Sequence, residues 1–216
     1  MSNNESFIEE VSEEVRRDRL YAMMRRYGWI AILIVVLLVG GAAWNEWRKS
    51  NERAEAQQVG DAILSALQLE DSAARAEALG KIEASGDRGV LLSLMQAGET
   101  AAAEDTEAAR ATLEGLAAQG DLPRVYRDLA SLKLILMDSD LAPADRRAAL
   151  EPLAIAGAPY RLLAEEQLAL VDVAEDKSEA AIDRLNAILQ DTDVSAGLRQ
   201  RASQLIVALG GTPEAL

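Results

Sequence analysis

Leu79, Leu113, Leu150 and Leu185 follow one another at steps of 34, 37 and 35 residues, and each is followed three positions later by Ile82, Leu116, Leu153 or Ile188. A period of this size marks repeated supersecondary units, and the i, i+3 spacing marks each copy as a helix with one buried face. The repetition also shows residue by residue: ATLEGLAAQG (111–120) and AALEPLAIAG (148–157) agree at six of ten positions. A second set steps by 34 through the intervening segments, as Leu92, Tyr126, Tyr160; Met95, Leu129, Leu163; and Ala103, Met137, Val171. Glu99, Lys133 and Gln167 stay polar in that register. Two alternating helices per 34 to 37 residues is the period of a helical-repeat array, in which a unit too small to bury its own apolar face stacks on its neighbours.

Helix breakers fit the same frame. The pattern predicts a long helix ending near Leu69, then helices over 72–85, 88–102, 105–118, 122–138, 143–156, 159–174, 177–190 and 194–209. Asp87 and Asp121 each follow a glycine and are expected as N-caps, Pro123 and Pro159 fall in first turns, and Pro143 opens a helix. The loop Asp138–Ala142 accounts for the stretched step of 37. Pro152 shares a column with Gly115 and is expected to bend its helix, because an interior proline has no N–H to donate and crowds the preceding turn.

Ahead of the repeats, residues 27–45 carry no charge, and 19 residues at about 1.5 Å rise give roughly 28 Å of helix, close to a bilayer's hydrocarbon thickness. Ile30 and the unbroken run Ile32–Val39 should contribute roughly −3 to −5 kcal/mol to insertion. Tyr27, Trp29, Trp44 and Trp47 stand at the two ends, where amphipathic rings favour the headgroup layer. Five basic residues precede the run within 20 positions and three follow it, so the positive-inside rule keeps the N-terminus cytoplasmic. The expected organisation is a cytoplasmic tail (1–26), a transmembrane helix (27–45) and an external helical domain (46–216). In the tail, Ser6-Phe7-Ile8-Glu9 has capping-box form, and Ile8, Val11 and Val15 lie at helical spacing. The rival reading is a cleaved signal peptide, with Gly41, Ala42 and Ala43 as the cleavage site.

Composition removes whole classes of chemistry. From Glu46 onward there are 30 acidic and 17 basic residues, a surface that repels nucleic acid and anionic headgroups. The chain has neither cysteine nor histidine, so thiolate nucleophiles, thiolate metal sites and the commonest general base are missing. Asp138-Ser139-Asp140 and Asp191-Thr192-Asp193 lack the further ligands of a calcium loop and are expected to serve turns, while the Glu165-Glu166 pair is expected to be solvated. No catalytic constellation, metal site or cofactor motif emerges.

The tail segment EEVRRDRL (13–20), the motif RRYGW (25–29), the apolar run, WNEWRKS (44–50) and the repeats together resemble the YfgM family. That resemblance implies an ancillary subunit of the SecYEG translocon in the bacterial inner membrane, with a periplasmic tetratricopeptide-like domain. It would work with a membrane-anchored periplasmic chaperone such as PpiD on exported polypeptides. The repeats depart from the usual tetratricopeptide pattern in having only Tyr126 and Tyr160 as large aromatics. The expected fold is therefore all-α, a single span followed by an α-solenoid, and the expected function is a non-enzymatic scaffold. An envelope-assembly or cell-division adaptor and a secreted soluble repeat protein are the alternatives. In such stacks the first helix of each pair lines the concave face, and the 34-residue step aligns Ser93, Arg127 and Arg161 there, beside Arg124, Tyr126 and Tyr160. These arginines and tyrosines are the candidate partner-binding residues. The competing reading pairs the arginines with acids of neighbouring helices, such as Asp128 or Glu165.

Overall fold

The computed structural model describes residues 3–214, with side chains described for residues 25, 26, 29, 30 and 33–214. Every regular element among them is helical: α1 (Asn3–Leu67), α2 (Ser72–Gly80), α3 (Asp87–Ala102), α4 (Thr106–Ala118), α5 (Arg124–Met137), α6 (Pro143–Leu150), a 3₁₀ turn (Glu151–Leu153), α7 (Arg161–Ala174), α8 (Ser178–Leu189) and α9 (Ala196–Ala208). The chain divides into two compact units, Met1–Gly60 and Asp61–Leu216.

The described residues of the first unit lie within α1. All its side chains from residue 33 to residue 58 are exposed, including Leu33–Val39, Trp44 and Trp47, whose rings sit 5.3 Å apart. Among the described residues no helix is long and apolar enough to cross a membrane. The span expected over 27–45 falls inside α1, but residues 27, 28, 31 and 32 lie outside the described side chains, and the Tyr27 anchor with them. The tail's apolar positions Ile8, Val11 and Val15 lie outside them too.

The second unit is a stack in which each helix packs on its neighbours in sequence. One apolar cluster joins α3, α4 and α5 through Val90, Leu94, Leu113, Leu116 and Ala130. The next joins α5, α6 and α7 through Leu132, Ile135, Leu150, Leu153 and Leu168. The last joins α7, α8 and α9 through Ala169, Leu185, Ile188, Ala202 and Ile206. The odd helices α5 and α7 each serve two clusters, so the core continues from pair to pair as in solenoid repeats. The column Leu79, Leu113, Leu150, Leu185 is at most 1% exposed throughout, as its period predicts.

The second set is less enclosed. Of its nine positions only Leu92 and Val171 are buried, while Tyr126, Tyr160, Met95 and Leu129 are half-buried and Leu163 is exposed. The enclosed positions lie four residues beyond the tyrosines, at Ala130 and Ala164, both 0% exposed. Alanine therefore occupies the most enclosed positions there, and the bulkier residues of the second set are left partly open.

Local punctuation also differs in places. The N-caps that act through their side chains are Asp71, Asp105 and Ser195, which accept the N–H groups of Ala74 at 2.8 Å, Ala108 at 3.1 Å and Leu198 at 3.3 Å. Asp87 is instead the first helical residue of α3, because Gly86 takes the cap position at φ +60, a region glycine enters without strain. Asp121 lies in the turn before Pro123, which holds the cap of α5. α2 ends at Gly80 rather than near 85, where a Cβ would meet Nε2 of Gln96 on α3 at 2.6 Å.

Pro152 bends its helix as expected. α6 ends at Leu150, the chain continues as a single 3₁₀ turn, and Ala154 donates its N–H to the carbonyls of Leu150 and Glu151. A 3₁₀ turn eclipses positions i and i+3, so Leu150 and Leu153 stay on one buried face through the bend.

Candidate functional site

The first turn of α5 and the start of α7 bring several of the candidate residues together. Arg124 donates from Nε to Oδ2 of Asp128 at 3.0 Å and reaches the Pro152 carbonyl in the 3₁₀ turn at 3.5 Å. Tyr160, the N-cap residue of α7, faces the same group: burial, then the negative charge of Asp128 and the nearby Tyr126, push its phenol above its ordinary value. Arg124, Tyr126, Asp128 and Tyr160 thus form one neighbourhood bridging two repeats.

Arg161 is engaged elsewhere. It donates to Asp191, in the turn between α8 and α9, at 2.5 Å. That hydrogen bond raises the guanidinium's pKa and is the largest cause holding the Asp191 carboxyl below its usual range, reinforced by the Asp193 N–H. Asp193 and Asp140 each turn a backbone N–H to the acid two residues earlier, so both two-carboxylate fragments serve turns. Arg161 also borders two clefts: one of about 490 Å³ lined by Pro159, Tyr160, Asp193 and Leu198, the other of about 390 Å³ lined by Glu165, Asp183 and Arg184.

Arg127 behaves differently. Its Nε is buried and has no hydrogen-bond partner, and no described residue pairs with it. Of the three candidate arginines, two are therefore ion-paired within the stack and one is unpaired. Ser93, in the same column, donates its hydroxyl to the Gly89 carbonyl within α3. Trp29, Trp44 and Trp47 are exposed along α1.

Sequence reasoning misses the buried acids of α7. Asp172, 3% exposed, accepts from Arg147 of α6 at 2.7 Å and from Arg184 of α8 at 3.0 Å. Arg147 also donates to Glu175, which takes Lys177 as well, and Arg184 also donates to Glu165. Glu166, expected to be solvated, is buried and held bidentately by Arg201 of α9 at 2.6 and 2.7 Å. Burial alone would raise the Asp172 pKa, but the hydrogen bonds from Arg147 and Arg184 outweigh it and lower the value. The available signal is position: Asp172 stands four residues after the buried Leu168 and three after the buried Ala169.

Among the described residues no group of three or more carboxylates is arranged to hold a metal ion. The ionic groups mostly neutralise one another across helix junctions: Arg75 with Glu99 and Arg110 with Asp138 do so at the earlier pairs. Helices stacked on sequence neighbours, tied by cross-junction ion pairs, define a helical-repeat protein. Residues 24–156 match the tetratricopeptide repeat-like domain family, and the chain belongs to that family. Neither the curated proteins nor the solved structures gave a significant match. Domains of this kind mediate protein–protein contacts and are typically non-catalytic. The matched segment begins inside α1 ahead of the apolar run, and the same architecture continues beyond it through α7, α8 and α9.

Proposed function

We propose that this protein is a non-enzymatic, membrane-anchored scaffold: an ancillary subunit of the SecYEG translocon whose periplasmic repeat domain links it to chaperones such as PpiD and to newly exported polypeptides. The observation that carries the scaffold reading is the continuous stack of helix pairs within a tetratricopeptide-like family. The anchor reading is supported by Leu33–Val39, which expose their side chains along α1 between Trp29 and Trp44, an arrangement that lipid would solvate. The family match includes this run, which favours a retained segment over a cleaved leader. The translocon reading rests on the juxtamembrane resemblance. Crosslinking in intact membranes followed by mass spectrometry tests it: crosslinks to SecYEG are expected, and crosslinks confined to peptidoglycan-assembly proteins would favour the envelope-adaptor alternative.

Two further results are expected. Val36→Arg adds roughly 2.5 to 3.5 kcal/mol to insertion, comparable with the whole apolar gain of the run, and should move much of the protein from the membrane to the soluble fraction. Unchanged carbonate-resistant membrane association of the variant would disprove the span. Replacing Arg124, Arg127 and Arg161 together by Ser should reduce recovery of crosslinked partners while the domain stays folded by circular dichroism. Full recovery from a folded variant would move the attachment away from this face.

A further inference from the structure

The odd helices of the stack carry a second repeated feature, and the reasoning from it rests on the scaffold reading. Leu91 and Val125 occupy one 34-residue register, Leu129 and Leu163 a second, and Leu136 and Leu170 a third. Five of these, Leu91, Val125, Leu136, Leu163 and Leu170, are 37 to 51% exposed. Large apolar side chains on successive helices of a stack, at repeated positions and uncovered, are the mark of an interaction surface rather than of scattered surface residues.

Between the apolar registers runs the polar column Glu99, Lys133, Gln167. Glu99 is neutralised by Arg75 at 2.6 Å. Lys133 and Gln167 are half-buried, and neither makes a hydrogen bond or ion pair with a described residue. A Cβ on Gly98 of α3 would lie 4.0 Å from the Lys133 ammonium, which places that charge at the seam between α3 and α5. Nearly all the other cations of this acidic stack are already held by carboxylates or carbonyls, as at Arg75, Arg110, Arg146, Arg147, Arg184 and Arg201. An unpaired ammonium and an unused amide, flanked by exposed leucines, fit an occupant with apolar side chains on both sides of an acidic group and peptide groups to meet Gln167. A bilayer surface fits poorly, because it would bury the ammonium and amide against hydrocarbon, and the domain's net negative charge opposes anionic headgroups.

We propose that the face formed by Val125, Leu136, Leu163 and Leu170 around Lys133 and Gln167 binds an amphipathic polypeptide segment whose apolar residues flank an acidic one. The test uses the purified full-length chain and two fluorescein-labelled synthetic peptides, alternating Leu and Ser with a single central Glu or a single central Lys, read by anisotropy. The Glu peptide should bind more tightly. Leu136→Asp with Leu170→Asp should weaken it about tenfold or more, the loss of one well-packed anchor. Lys133→Glu should reverse the preference between the two peptides. Because these side chains are exposed or half-buried, thermal midpoints should hardly move, so a binding loss would not reflect unfolding. Equal binding of both peptides, or undiminished binding by the leucine double variant, overturns the proposal. So does a double variant that loses adsorption to phosphatidylglycerol vesicles yet keeps the peptide, which would assign the face to lipid. If partner crosslinks in membranes persist in these variants, the scaffold reading stands and only this face is wrong; if the unaltered protein gives none, the scaffold reading itself fails.

Discussion

Leu150→Ala should destabilise the repeat domain by about 2 to 5 kcal/mol, toward the upper end of that range, whereas Glu114→Ala should shift it by no more than about 0.5 kcal/mol. Leu150 is 0% exposed and sits where α6 meets α5 and α7, among Leu132, Ile135, Leu153 and Leu168. Truncating it removes apolar contact and leaves a cavity, and the cost of the cavity depends on how far the surroundings can close over it. Here they can close little, because Pro152 fixes the 3₁₀ turn one residue farther on and Leu153 is already enclosed. Glu114 stands on α4 beside the equally buried Leu113, but points to solvent. The comparison is a direct measure of register: equal urea midpoints for the two variants would contradict it. In a stack held by nearest-neighbour contacts the damage should also stay local. Hydrogen exchange should rise first in α6 and α7 while α3 and α4 keep their protection. Uniform loss of protection would mean the stack is cooperative beyond its neighbours.

The residues that announce the fold do so through bulk and period. Leu79, Leu113, Leu150 and Leu185 are large, fully buried and regularly spaced, so the even helices are legible in the amino-acid sequence alone. Pro152 is legible for a different reason, since its missing N–H constrains any helix that contains it. The enclosed positions of the odd helices, Ala130 and Ala164, are not legible in the same way because alanine carries no bulk to weigh. Their burial follows from the packing of neighbouring helices, a property of the pair and not of either segment. The candidate site is legible only as a set of residues, without their pairing. Nothing in the local sequence of Arg161 points to Asp191, 30 positions away and beyond an entire helix, nor does anything near Glu166 point to Arg201, 35 positions away. Acids on a helix are ordinarily solvated, and only the tertiary arrangement turns two of them inward.

Asp172→Asn should cost about 3 kcal/mol at neutral pH, near the lower end of what breaking a buried ion pair removes. The carboxylate is 3% exposed and holds Arg147 and Arg184 from the helices on either side, so its neutral isostere leaves two guanidinium groups facing an uncharged amide. The loss is moderated because Arg147 keeps Glu175 and Arg184 keeps Glu165. The pH dependence separates charge from packing. The Asp172 carboxyl is lowered in the folded protein by those two arginines acting against burial. Its contribution is therefore complete above the unfolded carboxyl value of about 4 and is lost as pH falls through the lower folded value. Asp191, lowered by Arg161 and the Asp193 N–H, adds slope in the same direction in both proteins, whereas Glu175, lowered by Lys177 and Arg147, shares Arg147 with Asp172 and is coupled to the substitution. The difference in urea midpoint between the two proteins should thus be level from about pH 7 to about pH 5 and narrow only as pH falls below the unfolded carboxyl value of about 4. A difference that stays constant over that range would mean the asparagine acts through shape alone and that the two arginines do not depend on this charge. Replacing Asp172, Arg147 and Arg184 together by apolar residues of similar volume should then recover only part of the lost stability, because Glu175 keeps Lys177 while the half-buried Glu165 loses its arginine.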